Sequence, residues 1–141
     1  MTAIGKTSCI TIAAFIMLLS SFHALADEAE SRKACESLAA LSTQNFKIEK
    51  SEWVMASRVP AGPGGATMEA PSHCLFRVLM DSRPSGIEGV SYGTGIELRL
   101  PLAWNGRLLF QGGGGLNGAL NPAYGTVSGF PSALARGFAV V

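Results

Sequence analysis

Charged residues are scarce in this sequence, and the two signs are balanced. Only 15% of the 141 residues are charged, and the formal net charge at pH 7 is +1. This excludes the strongly basic surface with which many proteins bind nucleic acid or acidic lipid. Internal repeats and low-complexity tracts are absent as well, so length and composition indicate one ordinary globular domain.

The sequence has no apolar run long enough for a comfortable membrane span. The apolar stretch "CITIAAFIMLLSSF" follows a weakly positive start at Lys6 and precedes the small-x-small pattern of Ala24–Ala26. These features predict a secretory signal peptide over residues 1–26. The mature segment, residues 27–141, then has ten basic and ten acidic residues. We expect it to be secreted or periplasmic and to have no membrane partner once the signal is cleaved.

Cysteine and histidine are rare, with three and two residues respectively. There is no C-x-x-C and no histidine-rich spacing, which excludes the usual metal sites. Outside the predicted signal peptide only Cys35, Cys74 and His73 remain. Two cysteines in an exported chain favour one disulfide bond, which we expect to add about 2–4 kcal/mol of stability. His73, alone beside a cysteine in a Pro-Ser turn, is interpreted as a turn residue.

The amino-terminal part of the mature segment predicts a short helix and then irregular structure. Ala34, Leu38 and Leu41 have helical spacing. Residues 43–57 alternate only partly and are weakly strand-like. Three prolines and three glycines in Val59–His73 predict a surface loop.

The central part predicts strands separated by a loop. Residues 74–80 are apolar and form a predicted strand, and residues 81–95 are a predicted loop. The next strand alternates apolar and charged side chains, so we expect its apolar face to be buried. The alternating residues are Ile96, Leu98 and Leu100 on one face, and Glu97 and Arg99 on the other.

The last part predicts a hairpin followed by a crossover. A turn at Asn105-Gly106 leads to a second strand, Arg107–Gln111. A short helix is predicted between Pro131 and Gly137, after which the apolar "FAVV" begins another buried strand. This order is typical of an α/β sheet with antiparallel and parallel strands. Since an unpaired apolar terminal strand is an aggregation hazard, we expect the chain to be the front part of a longer protein.

The glycine run in "FQGGGGLNG", Phe110–Gly118, admits three interpretations. A slack linker is disfavoured because linkers mix glycine with serine over longer spans. A phosphate-binding loop has a literal G-x-G-x-x-G match at Gly113, Gly115 and Gly118. That fingerprint needs a helix opening at the glycines and an acidic residue about 20 positions later, and neither follows. No Gly-Lys-Ser/Thr follows either, which excludes a P-loop.

The third interpretation is an oxyanion loop. Glycines let the backbone turn an N–H inward without a Cβ in the way. In α/β-hydrolases one oxyanion donor comes from the loop after the third strand, and the other from the residue after the nucleophile. The predicted order of elements favours this interpretation for the glycine run.

The segments "LPLAWNGRLLFQGGGGLNGAL" and "SALARGFAVV" resemble the tannase and feruloyl esterase family of α/β-hydrolases, which includes a hydrolase of terephthalate monoesters. The family pattern is Leu/Met-Pro-x-x-Trp-Asn-Gly-Arg, a strand, a glycine-rich loop with Asn-Gly, and a Leu-x-Arg-Gly/Asn-Phe/Tyr-Ala strand entry. The resemblance covers residues 100–141 well. Upstream, "ACESL" and "HCLFRV" resemble the family's paired cysteines and support a Cys35–Cys74 bond.

The resemblance implies the first strands, glycine-rich loop and first crossover of an α/β-hydrolase, with an incomplete sheet. It implies a serine esterase acting on small aromatic esters, whose Ser, Asp and His, lid domain and calcium site lie beyond Val141. The Cys-Ser pair of the family's nucleophile motif does not occur in this sequence, so no catalytic residue and no cofactor are expected in it. By position, the oxyanion donor falls on Gly115, with Gly114 the next candidate. The alternative is an exported, non-catalytic binding or structural module.

Overall fold

The computed structural model describes residues 27–41, 43, 45–61, 65–113, 118–127 and 130–141. The predicted signal peptide lies outside these residues. Residues 27–37 are α-helical and continue into a 3₁₀ turn, Leu38–Leu41, which confirms the predicted first helix. No helix among the described residues has the length and apolarity needed to cross a membrane.

In the part of the chain that the structure describes, seven β-strands and a second 3₁₀ turn follow the helix. The strands are β1 (Phe46–Val54), β2 (Ser57–Pro60), β3 (Thr67–Ala70), β4 (His73–Pro84), β5 (Ser91–Pro101), β6 (Leu108–Leu109) and β7 (Ala139–Val140), and the turn is Leu134–Arg136. Five strands form a mixed sheet in the order β1-β4-β5-β7-β6, while β2 and β3 form a separate pair. The described structure is thus mostly strands, compatible with part of an α/β fold.

The predicted hairpin between β5 and β6 is wrong, because β7 lies between them. β7 pairs antiparallel with β5 and parallel with β6. The turn at Asn105-Gly106 exists, with the Arg107 N–H donating to Asn105 Oδ1 over 3.0 Å. It directs the chain one strand further out instead of back along β5. The predicted crossover to a parallel strand is confirmed, and β6 is shorter than predicted.

Two predicted loops contain strands. Residues 59–73 include most of the β2–β3 pair, in which Val59 lies opposite Met68. Residues 81–95 extend β4 and β5 into a long antiparallel hairpin, closed by a Ser85 N–H donating to the Val90 carbonyl over 2.9 Å. The proline and glycine residues correctly indicated turns in both segments. The strands on either side of those turns extend further than the sequence predicted.

The buried face of β5 is opposite to the predicted one. Glu97 and Arg99 are 2% and 6% exposed, whereas Leu100 is 38% exposed. The reason is tertiary: the charged face is covered by the segment after the glycine loop, whose Ala123 and Leu134 join Val140 in the apolar core. Apolar and charged side chains do alternate along β5, but the alternation alone did not show which face the rest of the chain would cover.

The disulfide between Cys35 and Cys74 is present, with the Cα atoms 5.6 Å apart. It attaches the amino-terminal helix to β4 across the sheet face opposite Glu97 and Arg99. Ser51 Oγ on β1 donates to the Cys35 carbonyl over 2.5 Å and holds the end of the same helix. At the other end of the chain, Gly137 caps the Leu134–Arg136 turn in the left-handed conformation, with φ 83°.

Candidate functional site

The glycine loop leaves the carboxyl end of β6, beside the carboxyl end of its parallel neighbour β7. In open α/β sheets, ligands bind in the crevice outside the carboxyl ends of the strands. Gly112 opens the loop with φ +72°, a backbone conformation that favours glycine. Gly114 and Gly115, the predicted oxyanion donors, lie outside the described residues. The structure therefore describes where the loop starts and returns, but not those two amides.

A cavity of about 290 Å³ lies between the loop and the first half of β5. Gly113 lines it and has open space where a Cβ would lie. Leu120 and Phe110 contribute apolar wall, and the side chain of Leu120 packs over Gly95. The cavity thus combines apolar walls with a glycine backbone at the carboxyl edge of the sheet.

Gln111 connects the two ends of the loop. Its backbone N–H donates to the Val141 carbonyl over 2.6 Å, which fixes it against the end of β7. Its side-chain Oε1 accepts the Gly125 N–H at 2.8 Å, and its Nε2 donates to the Pro122 carbonyl at 3.3 Å. One side chain before the glycines thus binds the segment after them.

The chain returns from the glycine loop over residues 118–127, called here the returning segment. Glu97 on β5 binds this segment. Its Oε1 accepts the Ala123 N–H at 3.0 Å and the Arg99 Nε–H at 2.8 Å. Its Oε2 accepts from Arg77 at 2.6 Å. Burial alone would raise the pKa of Glu97, but the hydrogen bonds from Arg77 and Ala123 and the charge of Arg99 outweigh burial and lower it. Glu97 is therefore a carboxylate, tolerated in the interior because it is fully paired.

His73 completes this buried network and is held neutral. It is 0% exposed; its Nε2 lies 2.8 Å from Arg99 Nη1, and its Nδ1 lies 2.7 Å from the Pro71 carbonyl. Since a guanidinium can only donate, Nε2 must accept and Nδ1 must carry the proton. Burial lowers the pKa of His73, and the Arg99 charge lowers it further, against the opposing effect of the Pro71 carbonyl. Both ring nitrogens are used, so His73 is not free to act as a general base.

Tyr124 closes the network from the returning segment. The Arg99 guanidinium lies 4.1 Å from the centre of its ring, and the His73 ring meets it edge-on with centroids 6.5 Å apart. Cation–π contact of this kind stabilises a desolvated guanidinium. The network therefore joins β4 and β5 to the segment that follows the glycine loop.

Sequence reasoning missed this network. His73 was interpreted as a turn residue, and Glu97 and Arg99 were placed on the exposed face; all three are buried. The available signal was a glutamate and an arginine two residues apart in a strand otherwise rich in apolar residues, which is compatible with a paired, buried charge. Among the described residues, no three His, Cys, Asp or Glu side chains come together as a metal site.

No family model matches this chain. A search of curated proteins relates it to the mono(2-hydroxyethyl) terephthalate hydrolase of Piscinibacter sakaiensis, with 38% identity over 96 residues. The match covers 67% of this chain but 15% of that enzyme. Over these residues the chain is related to a hydrolase, and it spans only a small part of that hydrolase's length.

Proposed function

We propose that this chain is the amino-terminal part of an exported carboxylic ester hydrolase of the tannase and feruloyl esterase type. Its role in that enzyme is to supply half of the oxyanion hole. The observation that carries the proposal is the glycine loop at the carboxyl end of β6, bordering a cavity beside the parallel strand β7. The relation to a terephthalate monoester hydrolase and the disulfide, typical of exported proteins, support it.

In the proposed reaction an activated serine attacks the ester carbonyl, and the carbonyl oxygen becomes negative. The Gly115 N–H, or the neighbouring Gly114 N–H, donates a hydrogen bond to that oxygen, and the residue after the serine supplies the second donor. The serine and its aspartate and histidine partners are proposed to lie beyond Val141. The calcium ion implied by the resemblance finds no ligand cluster among the described residues, and no step of this proposal involves it.

The proposed substrates are small esters of aromatic carboxylic acids, such as galloyl, feruloyl or related esters. Support comes from the apolar walls that Phe110 and Leu120 give the cavity and from the relation to an enzyme named as a hydrolase of a terephthalate ester. Which ester of this class the protein cleaves is proposed to depend on the residues that build the rest of the pocket.

The proposal is tested on the full-length protein with aromatic esters and two variants of one glycine. Gly115→Pro removes the proposed donor N–H, and we expect kcat to fall about 10²- to 10³-fold, the usual effect of losing one oxyanion donor. Gly115→Ala keeps the N–H and is the matched control, expected to lose much less. Binding of a boronic-acid transition-state analogue should weaken in parallel with kcat.

Equal losses in the two variants, or an unchanged kcat in Gly115→Pro, would contradict the assignment of the donor. If the equivalent Gly114 pair showed the expected contrast instead, the donor would move by one residue. A full-length protein that cleaves no aromatic ester would contradict the proposed function and favour the exported binding module.

A further inference from the structure

We propose that Gln111 is a positioning residue for the glycine loop, and that it acts by binding the segment into which the loop returns. The inference rests on the proposed function for its catalytic consequence. Its structural basis is separate: one exposed side chain makes two hydrogen bonds to the backbone on the far side of the loop. We use the term loop clamp for Gln111 with its two partners, Pro122 and Gly125.

The chemistry of the clamp selects glutamine. The Gly125 N–H needs an acceptor, and the Pro122 carbonyl, which also accepts the Tyr124 N–H at 3.0 Å, has a second lone pair for a donor. A primary amide presents one acceptor and one donor on a single planar group. Glutamate would offer two acceptors, methionine neither function, and lysine only donors. Pro122 itself has no N–H, so its carbonyl is the backbone group by which this position can be held.

Both attachment points of the clamp are themselves fixed. At the outgoing end, the Gln111 backbone N–H is bonded to the Val141 carbonyl. At the returning end, a Cβ on Gly125 would lie 2.6 Å from Ala133 Cβ and 2.8 Å from Leu109 Cδ2, and its φ is +64°. Gly125 is therefore pressed onto the core, with its N–H aimed at Gln111. The clamp therefore joins two positions, Gln111 and Gly125, that are each held by contacts of their own.

The returning segment is also held by Glu97 through the Ala123 N–H, so the clamp and the buried network bind it at different residues. The two grips differ in what their loss would do. Removing Glu97 would leave the buried Arg99 without its carboxylate partner and would destabilise the sheet. Removing the Gln111 amide leaves no buried charge, so its effect on the loop can be separated from an effect on folding.

A preformed loop matters for an oxyanion hole because its donors must already point to where charge develops. A misplacement of about 1 Å can cost about 100-fold in rate. Loss of the clamp should therefore lower kcat more than it changes KM. A glutamine that only stabilised the fold would lower the unfolding midpoint instead.

The test uses the full-length protein, with Gln111→Met to remove both hydrogen bonds at nearly constant length. With 4-nitrophenyl benzoate as probe, we expect kcat to fall about 10- to 100-fold and KM to change less than about threefold. Hydrogen exchange of peptides covering residues 118–127 should become about tenfold faster. Leu108→Met, three residues earlier in β6 and without a side-chain hydrogen bond to the returning segment, is the matched control and should leave both measurements unchanged.

Gln111→Glu provides a readout that a purely structural role would not give. At neutral pH its carboxylate accepts from Gly125 but opposes the Pro122 carbonyl, whereas its protonated form can donate to Pro122 again. The ratio of its kcat to that of the wild type should therefore rise as pH falls toward the ordinary glutamate pKa of about 4.3.

Faster exchange with an unchanged kcat, or a pH-independent kcat ratio for Gln111→Glu, would overturn the positioning role. Unchanged exchange in Gln111→Met would overturn the clamp itself. If the wild type hydrolysed no aromatic ester, the proposed function and the catalytic role would both be overturned, while the exchange measurement would still decide whether Gln111 holds the loop ends.

Discussion

At the scale of single residues, the main structural feature is a set of charges buried under the segment that follows the glycine loop. Glu97, Arg99 and His73 each bind at least two partners, and Glu97 is shared between two guanidiniums and a backbone N–H. Buried ion pairs contribute little net stability, but breaking one by removing a single partner is costly. Their value here is geometric, because Glu97 and Tyr124 fix where the loop returns.

Glu97→Ala should destabilise the protein by about 3–5 kcal/mol, because it leaves Arg99 buried without its carboxylate partner. Glu69→Ala is the matched control: its ion pair with Arg58 is just as short, at 2.6 Å, but both side chains are about 70% exposed. Urea unfolding should show a large shift of midpoint for the first variant and no resolvable shift for the second. Similar shifts in the two would show that the buried network carries no special cost.

His73 predicts a pH dependence of stability. Burial lowers the pKa of His73 in the folded protein below its ordinary value of about 6.5, so the unfolded chain binds more protons in the interval between the two pKa values. Stability is therefore complete above about pH 6.5 and falls as pH decreases through that interval. His73→Gln should flatten this part of the stability profile, as measured by urea unfolding at several pH values between about 8 and 5. Parallel profiles for the two proteins would contradict the assignment.

At the scale of elements, the returning segment depends on a close approach at Gly125. Gly125→Ala should destabilise by more than the 1–2 kcal/mol that a left-handed backbone alone costs, because the new Cβ would collide with Ala133 and Leu109. Gly112→Ala is the matched control, with a similar φ of +72° but 3.7 Å to its nearest neighbour, Phe110. The difference in unfolding free energy between the two variants isolates the packing contribution. Equal losses would mean that the segment shifts without cost.

The disulfide attaches the amino-terminal helix at the end of the sheet away from the glycine loop. Cys74 lies opposite Leu100 near the end of β5, whereas the cavity borders the first half of that strand, at Thr94 and Gly95. A Cys35→Ser/Cys74→Ser double variant should therefore lose about 2–5 kcal/mol of stability and keep its kcat in the full-length protein. A lower kcat at unchanged stability would show that the helix acts on the site.

At the scale of the whole molecule, features set by local sequence patterns were predicted better than features set by tertiary contacts. The first helix, the strand at residues 74–80, the β6-to-β7 crossover and the disulfide followed from spacing and composition. The insertion of β7 between β5 and β6, and the burial of Glu97 and Arg99, depend on where the chain returns after the glycine loop. No local pattern around Asn105-Gly106 specifies that return. The loop clamp was equally beyond prediction, because it joins residues through their tertiary positions.

The sheet has an apolar face, on which Leu98, Leu100 and Leu108 lie opposite to the buried charges. Leu108 and Phe110, at the β6 edge of the described sheet, are 62% and 76% exposed. An exposed apolar edge strand is a template for pairing with another chain. Residues 27–141 expressed alone should therefore self-associate, and they should show no esterase activity, since the catalytic serine, aspartate and histidine are proposed to lie beyond Val141.

Sedimentation velocity over a range of concentrations measures this association. Leu108→Lys should shift the isolated segment toward monomer, because a charge on an edge strand opposes edge-to-edge pairing. Ile87→Lys is the matched control, since Ile87 is 65% exposed but lies in the turn between β4 and β5, away from β6. A segment that stays monomeric at every concentration, or a response to Ile87→Lys as large as to Leu108→Lys, would show that the β6 edge is not the associating surface.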